Sequence, residues 1–158
     1  RLNTDKEKRY VGDIPDGFVL ERDDLVIVMT QQAKGLIGSC AVIPESDLYL
    51  HNQRLGKVVD LDQSLMKPQL LYYLFNASYV REQLESTASG SMVQHTSPSR
   101  VYDVSVALPP VFKQKELVAE LDDKIAGVKL AEASIQQELD TIEAMPAALL
   151  RKAFSGGL

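Results

Sequence analysis

Apolar and polar positions follow two different patterns along the chain, and the change comes at Pro109-Pro110. Before these prolines the apolar runs are short. Residues 25–29 (LVIVM) lie between the charged stretch 21–24 and a polar stretch at 30–32, which predicts a buried strand. Further short strands are predicted at residues 39–43, 48–50, 57–61 and 104–108, the last as an edge strand that Pro109 ends.

A helical period replaces the strand pattern between residues 62 and 84. The spacing of the leucines and aromatic residues in this stretch predicts one or two amphipathic helices, with a break at 76–78. Pro68 is compatible with a helix only in its first turn.

From Val111 to Phe154 one helical period continues almost to the C-terminus. One heptad position is apolar throughout, and the position four residues later is interrupted by Glu132 and Pro146. We therefore predict a coiled-coil helix on the order of 60 Å long, with a defect at Glu132 and a break or kink at Pro146. The predicted seam consists of Leu121, Ile125, Val128, Ile135, Leu139, Ile142 and Leu149.

These patterns predict an α+β chain in two parts. Residues 1–110 form a domain with a small mixed sheet, and residues 111–158 form the long helix. A helix of that length exceeds the width of a small domain, so we expect a second copy or another subunit to cover its seam. The alternative is a helix that folds back on its own domain.

Composition excludes several classes of protein. The 158 residues are 45% apolar and 25% charged, the mix of a soluble globular protein. The 17 basic and 22 acidic residues give a net charge of −5, which argues against a surface that contacts nucleic acid everywhere but leaves room for a local patch. A single cysteine, Cys40, excludes a disulfide framework and favours an intracellular setting; we expect it to be a core residue.

The sequence also allows expectations about membrane segments and about its N-terminus. No run reaches 18 apolar residues, so we expect no transmembrane helix, and the charged residues 1–10 do not suit a signal peptide. The sequence lacks an initiator Met, and we expect it to begin inside a longer natural chain.

Catalytic patterns are missing from the sequence. His51 and His95 have no metal-ligand spacing, and neither a phosphate-binding glycine loop with its following Lys and Ser/Thr nor a G-x-S-x-G nucleophile elbow is present. We therefore expect no catalysis and no metal or cofactor bound by this chain. An enzyme of unknown type remains an alternative.

The best candidate contact surface is the stretch 86–102, which contains no acidic residue. Hydroxyl, amide and guanidinium groups in it are the donors that phosphate oxygens accept from, and Gln94 suits the edge of an adenine. Two other polar turns, at residue 34 and at 51–54, have similar chemistry. A solvated loop is the alternative in each case. The candidate DNA-binding residues are Lys34, Gln53, Arg54, Ser91, Gln94, His95, Thr96 and Arg100.

Taken in order, five motifs resemble the DNA-specificity subunit of type I restriction–modification systems. LERDDLVIVM from Leu20 is similar to that family's L-x-x-G-D-hydrophobic strand, with Asp23 where Gly is usual. GLIGSCAV from Gly35 resembles its G-x-x-G step, and QLLYYL (69–74) its helix. GSMVQHTSPSR (90–100) leads into VSVALPP (104–110), and Gln114 takes the last place of P-P-x-x-x-Q. LRKAFSGGL (150–158) is similar to the family's helix ending.

The resemblance implies a target-recognition domain followed by one conserved helical region. A full subunit has two of each; its helices pack antiparallel as a ruler, and each domain reads one half of a split DNA target. The helices also dock methyltransferase subunits, which use S-adenosylmethionine, and restriction subunits that use ATP join the complex. Such a subunit is cytoplasmic, in a bacterium or archaeon, and makes or breaks no bond itself.

This chain is then expected to be one half of a specificity subunit. We expect it to pair, through antiparallel helices, with a second copy or with another specificity half. The family's recognition domain is usually longer than 110 residues, so we expect its N-terminal part to be missing. The alternative is a coiled-coil interaction module that does not bind DNA itself.

Overall fold

The computed structural model describes residues 8–32 and 34–156. Most of residues 1–10, for which no signal peptide is expected, lie outside the described residues. The last two residues of the helix-ending motif, 157–158, lie outside them as well. The strands are β1 (Val19–Leu20), β2 (Leu25–Val28), β3 (Thr30–Gln31), β4 (Cys40–Val42), β5 (Tyr49–Leu50), β6 (Leu55–Lys57) and β7 (Gln94–His95). The helices are α1 (Pro68–Asn76), α2 (Ser78–Thr87), α3 (Pro98–Tyr102) and α4 (Val111–Phe154). Short antiparallel sheets and a long helix confirm the predicted α+β class.

The strand β2 is the centre of a three-stranded antiparallel sheet in the order β4-β2-β6. Ile27 pairs with Cys40 on one side and with Gly56 on the other. Two ribbons, β1 with β5 and β3 with β7, complete the strand pairing of the described chain. Only Met29 separates β2 from β3, so the same stretch of backbone serves the central sheet and one of the ribbons.

Both faces of β2 are buried, which explains its uninterrupted apolar run. Leu25 and Ile27 belong to a core cluster with buried residues of α1 and α2, including Phe75 and Leu84. Val26 points to the other face, where it packs with Leu20 and Ile43. A strand with one solvated face would have alternated apolar and polar residues instead.

The two predicted helices and their break are confirmed. Pro68 is in the first turn of α1, where a backbone N–H would have no partner within the helix, so proline costs no hydrogen bond there. Ala77 ends that helix with an extended backbone (φ −74°, ψ 139°) and at the same time caps α2. The two helices place Phe75 and Val80 in one core cluster.

Asp23 adopts a left-handed backbone with φ 69°. A left-handed conformation favours glycine, which is the residue that the resembled motif has at this position. Asp is among the few other residues that tolerate it. The turn is held by the N–H of Glu21, which donates to Asp24 Oδ2, and by the N–H of Asp23, which donates to the carbonyl of Ile43.

Two strand predictions need correction. Residues 104–108 form no strand, because the Gln83 side chain makes the backbone hydrogen bonds that a neighbouring strand would have made. Gln83 Oε1 accepts from the N–H of Ser105, and Gln83 Nε2 donates to the Ser105 carbonyl. The predicted strand at 57–61 lies earlier, at Leu55–Lys57, since left-handed Asp60 (φ 53°) ends the extended course. The short strands β1, β3 and β7 and the short helix α3 were not predicted.

Helix α4 spans 44 residues from Val111 to Phe154, as predicted, and continues without a break through Pro146. The predicted break is therefore wrong, while a kink stays a prediction. A proline within a helix removes one backbone hydrogen bond. The strong helix formers Ala144, Ala147 and Ala148 sustain the helix on either side.

The chain divides into two compact units, Arg1–Lys115 and Glu116–Leu158. The functional division at residue 110 stays a prediction.

Within the described ranges, none of the helices combines the length and apolar character needed to cross a membrane.

Cys40 lies in the core with 2% of its surface exposed, as expected from its apolar strand pattern. Burial raises the pKa of its thiol to about 12. Because the reactive species is the thiolate, we expect iodoacetamide at pH 8 to leave native protein unmodified but to alkylate it in urea, as read by mass spectrometry. Stability should fall as pH rises above 9, where only the unfolded thiol ionises. Rapid modification of the native protein would contradict this burial.

Candidate nucleic-acid interface

Three polar segments that are distant in sequence line one open cleft of about 720 Å³, here called the polar groove. They come from β3, from the turn before β6 and from β7. The lining contains no carboxylate, although the chain as a whole is acidic. The lining residues are Thr30, Gln31, Gln32, Leu36, Gln53, Arg54, Val93 and His95.

Backbone pairing brings these segments together. In the β3–β7 ribbon, Thr30 pairs with His95 and Gln31 pairs with Gln94. The N–H of Met29 donates to the carbonyl of Arg54, which holds the 53–54 turn beside the start of β3. Gln53, Arg54 and His95, predicted separately as DNA-binding residues, therefore line the same surface.

Gln31 is the buried polar residue behind the groove, with 3% of its surface exposed. Its Oε1 accepts from the N–H groups of Leu36 and Ile37 at 2.7 and 2.8 Å, and its Nε2 donates to Gln94 Oε1 at 2.7 Å. It thus joins the 32–39 loop to β7. Gln31 was not among the predicted residues, since a glutamine after an apolar strand is typical of the polar start of a loop.

His95 and Arg100 are partly engaged within the domain. Thr30 Oγ1 and His95 Nδ1 form a hydrogen bond of 3.0 Å across the ribbon. The guanidinium of Arg100 donates to Ser89 Oγ at 3.4 Å and to the His95 carbonyl at 3.3 Å. Arg100 therefore holds the hairpin that carries β7, and it does not line the polar groove.

The remaining predicted contact residues, Lys34, Ser91, Gln94 and Thr96, do not line the groove. Lys34 is exposed in a turn, next to Gly35, whose N–H donates to Glu85 Oε1. Ser91 is exposed in the turn that leads into β7. Thr96 is half-buried; its N–H donates to the Met29 carbonyl, while its Oγ1 has no partner among the described residues.

Gly90 makes the turn before β7 possible. Its φ is 116°, and a Cβ at this position would lie 2.0 Å from the carbonyl oxygen of Val93. Only glycine fits both the conformation and the close approach of that backbone. The geometry accounts for the glycine at the start of the GSMVQHTSPSR motif.

A second cleft of about 650 Å³ adjoins the polar groove, because Gln53 and Arg54 line both. Its other lining residues are Lys8, Phe18, His51 and Asn52. The rings of Phe18 and His51 are 6.5 Å apart. The 51–54 turn is thus the wall between two clefts, and neither cleft is lined by an acidic side chain.

In the second unit, residues 122–156 of the described chain are exposed. The seam residues from Ile125 onward share this exposure, including Val128 at 57%, Ile135 at 58% and Ile142 at 60%, whereas Leu121 is half-buried. Glu132, the defect in the heptad, is exposed as well. An apolar row of this length on a helix surface is typical of a surface that another helix covers.

No group of three or more His, Cys, Asp or Glu side chains in the described part of the chain is arranged to hold a metal ion. Beside the apolar Leu36 and Val93, the side chains of the groove are three amides, one hydroxyl, one guanidinium and one imidazole. This set suits contacts to phosphates and base edges.

Comparison with known proteins found no matching family model. The chain is 26% identical over 149 residues to the specificity subunit of the type I restriction enzyme EcoBI from Escherichia coli, which covers 94% of the chain and 30% of that protein. It is 23% identical over 168 residues to the StySPI specificity subunit from Salmonella potsdam, covering 100% of the chain and 33% of that protein.

The chain spans about a third of the length of the curated relatives that it matches. Both alignments extend over nearly all of the chain, and the second includes the N-terminal residues in which no motif is recognisable. The resemblance predicted from the motifs is confirmed: the chain is similar, along almost its whole length, to one third of a type I restriction enzyme specificity subunit.

Proposed function

We propose that this chain recognises DNA as a specificity subunit, or half of one, in a type I restriction–modification complex. The observation that carries the proposal is the polar groove, in which three separate segments join to form a surface without carboxylates on an acidic chain. Its relatives are named as specificity subunits, which supports the same reading. In this function the chain positions other subunits and carries out no catalysis.

The groove has the donors that double-stranded DNA requires. Arg54 is exposed and suits a phosphate or the O6 and N7 atoms of guanine. Gln53 is exposed beside it and suits a base edge. With a net charge of −5, the chain alone should bind DNA weakly, so most of the affinity would come from partner subunits while the groove supplies selectivity.

Helix α4 would supply the assembly surface. Its exposed apolar seam suits antiparallel pairing with a second copy or with another specificity half, which would set the distance between two recognition domains. Methyltransferase subunits using S-adenosylmethionine would dock on the helices, and restriction subunits using ATP would join through the complex. The proposed setting is the cytoplasm of a bacterium or archaeon.

The decisive experiment combines the chain with the methyltransferase subunits of its own host. We expect the combination to shift duplex DNA in a gel and to methylate one split sequence, identified by sequencing the methylome of cells that carry both. The methyltransferase subunits alone should do neither. Equal methylation with and without the chain would contradict the proposal.

Replacing Arg54 with alanine should weaken DNA binding by that complex and reduce its dependence on salt. The loss of one phosphate contact lowers the slope of log affinity against log salt by about 1. The matched control is Arg22→Ala, which removes the same charge from an exposed residue outside both clefts. Fluorescence anisotropy at several salt concentrations measures both slopes. Equal slopes for the two variants would remove Arg54 from the interface.

A further inference from the structure

We infer that Gln31 determines which hydrogen-bonding group Gln94 presents to DNA, and that this group is an N–H donor suited to guanine. The inference rests on the proposed function, because it names the base that the surface beside the polar groove reads. It also revises the expectation from sequence that Gln94 suits adenine. The two side chains lie on neighbouring strands, at paired positions of the β3–β7 ribbon.

The orientation of the Gln31 amide follows from its backbone partners. The N–H groups of Leu36 and Ile37 both point to one terminal atom of Gln31, at 2.7 and 2.8 Å. A backbone N–H can only donate, so that atom must be the oxygen. The other terminal atom is therefore the NH2 nitrogen. This assignment needs no choice between flipped amide orientations, because the flipped form would place donors against donors.

The orientation of Gln94 follows in turn. The Gln31 Nε2 group has only hydrogens to offer, and it lies 2.7 Å from a terminal atom of Gln94. That atom must accept, so it is Oε1. Gln31 is 3% exposed and holds three hydrogen bonds, so this arrangement is fixed from the buried side. The half-buried Gln94 keeps its Nε2 for an outside partner.

A glutamine reads adenine through both of its polar atoms: Oε1 accepts from N6 while Nε2 donates to N7. Here Oε1 points to the buried Gln31 and accepts a hydrogen bond from it, so the group that Gln94 turns outward is the NH2 with its two hydrogens. Guanine shows two acceptors, O6 and N7, on the edge where adenine shows one donor and one acceptor. A donor-only amide therefore favours guanine. Gln94 is the contacting residue, and Gln31 is its positioning residue.

Two substitutions should move the preference in the same direction by different routes. In Gln94→Glu, one carboxylate oxygen still accepts from Gln31 and the other faces outward as an acceptor. In Gln31→Glu, the new carboxylate keeps the backbone N–H groups of residues 36 and 37 but can no longer donate. Gln94 must then turn its NH2 inward and its oxygen outward. Both variants present an acceptor, which suits the N4 amino group of cytosine or the N6 amino group of adenine.

The test is selection of target sequences from randomised duplex DNA by the full chain with its methyltransferase subunits. For the wild type we expect guanine at one position of the half-site. Both variants should lower the preference for guanine there, on the order of tenfold, in favour of cytosine or adenine. Gln69→Glu is the matched control, since it adds the same charge at an exposed position of α1 and should leave the selected sequence unchanged.

A second measurement judges the amide orientation without DNA. Side-chain NH2 signals of glutamine in ¹⁵N NMR should show slow hydrogen exchange for Gln31 and fast exchange for Gln94 in the wild type. In Gln31→Glu the Gln94 NH2 should become slow. Should the buried carboxylate prevent folding, Gln94→Glu and the wild-type exchange rates still decide the question.

The outcomes separate the inference from the proposed function. A wild-type complex that selects no sequence would refute the proposed function, while the NMR result would still stand. A wild-type complex that selects a sequence, with guanine preference retained in the folded variants, would overturn the inference alone. Slow exchange of the Gln94 NH2 in the wild type would also overturn it.

Discussion

Replacing Gln114 with leucine should destabilise the first unit by about 3 kcal/mol, because it leaves three backbone groups without their partner. Gln114 is 0% exposed. Its Oε1 accepts from the N–H of Lys67 at 2.9 Å, and its Nε2 donates to the carbonyls of Leu65 and Pro109 at 2.8 and 3.0 Å. The side chain ties the residues before α1 to the first turn of α4. A loss of this size is a large fraction of the stability of a typical domain.

Urea unfolding followed by tyrosine fluorescence suits this measurement. The chain has six tyrosines and no tryptophan, and every tyrosine lies between residues 10 and 102, so the signal reports on the first unit. The control is Gln137→Leu, an exposed glutamine of the same helix, whose effect should stay within about 0.5 kcal/mol. Similar midpoints for the two variants would mean that the Gln114 bonds contribute little.

Replacing Ile135 with aspartate should abolish pairing through α4. Ile135 is near the middle of the seam and is 58% exposed in the single chain. In a paired helix its side chain would be buried, and this burial would stabilise the pair by about 1.5–3 kcal/mol per isoleucine. Aspartate would instead place an unpaired charge in the interface. A two-fold pair contains the substitution twice. We expect sedimentation to show a dimer for the wild type and a monomer for the variant.

The matched control for pairing is Gln137→Asp. It introduces the same residue two positions later on the same helix, at an exposed polar position outside the seam. The cost to helix propensity is therefore similar, and only the seam differs. A wild-type chain that stays monomeric at high micromolar concentration would refute self-pairing. Equal behaviour of the two variants would place the contact on another face of the helix.

Local patterns were sufficient for the central strand and the longer helices. The apolar run of β2, the proline that begins α1 and the heptads of α4 each act within a few residues of themselves, so their structure can be predicted from neighbours in sequence. The failures arose where contacts distant in sequence replaced the expected pairing. Residues 104–108 alternate like a strand, but the Gln83 side chain, 22 residues away, takes the place of a strand partner at Ser105.

The sequence by itself determined the α+β class, the length of α4 and the resemblance to specificity subunits, since periodicity and ordered motifs are properties of the chain alone. Tertiary structure decided which polar residues act together. It joined Gln53 and Arg54 to His95 in one groove, and it buried Gln31 and Gln114 while leaving similar glutamines exposed. Their partners lie 63 and 47 residues away, for Gln94 and Lys67 respectively. A polar side chain is exposed unless distant groups enclose it and complete its hydrogen bonds, and only the packed fold specifies those groups.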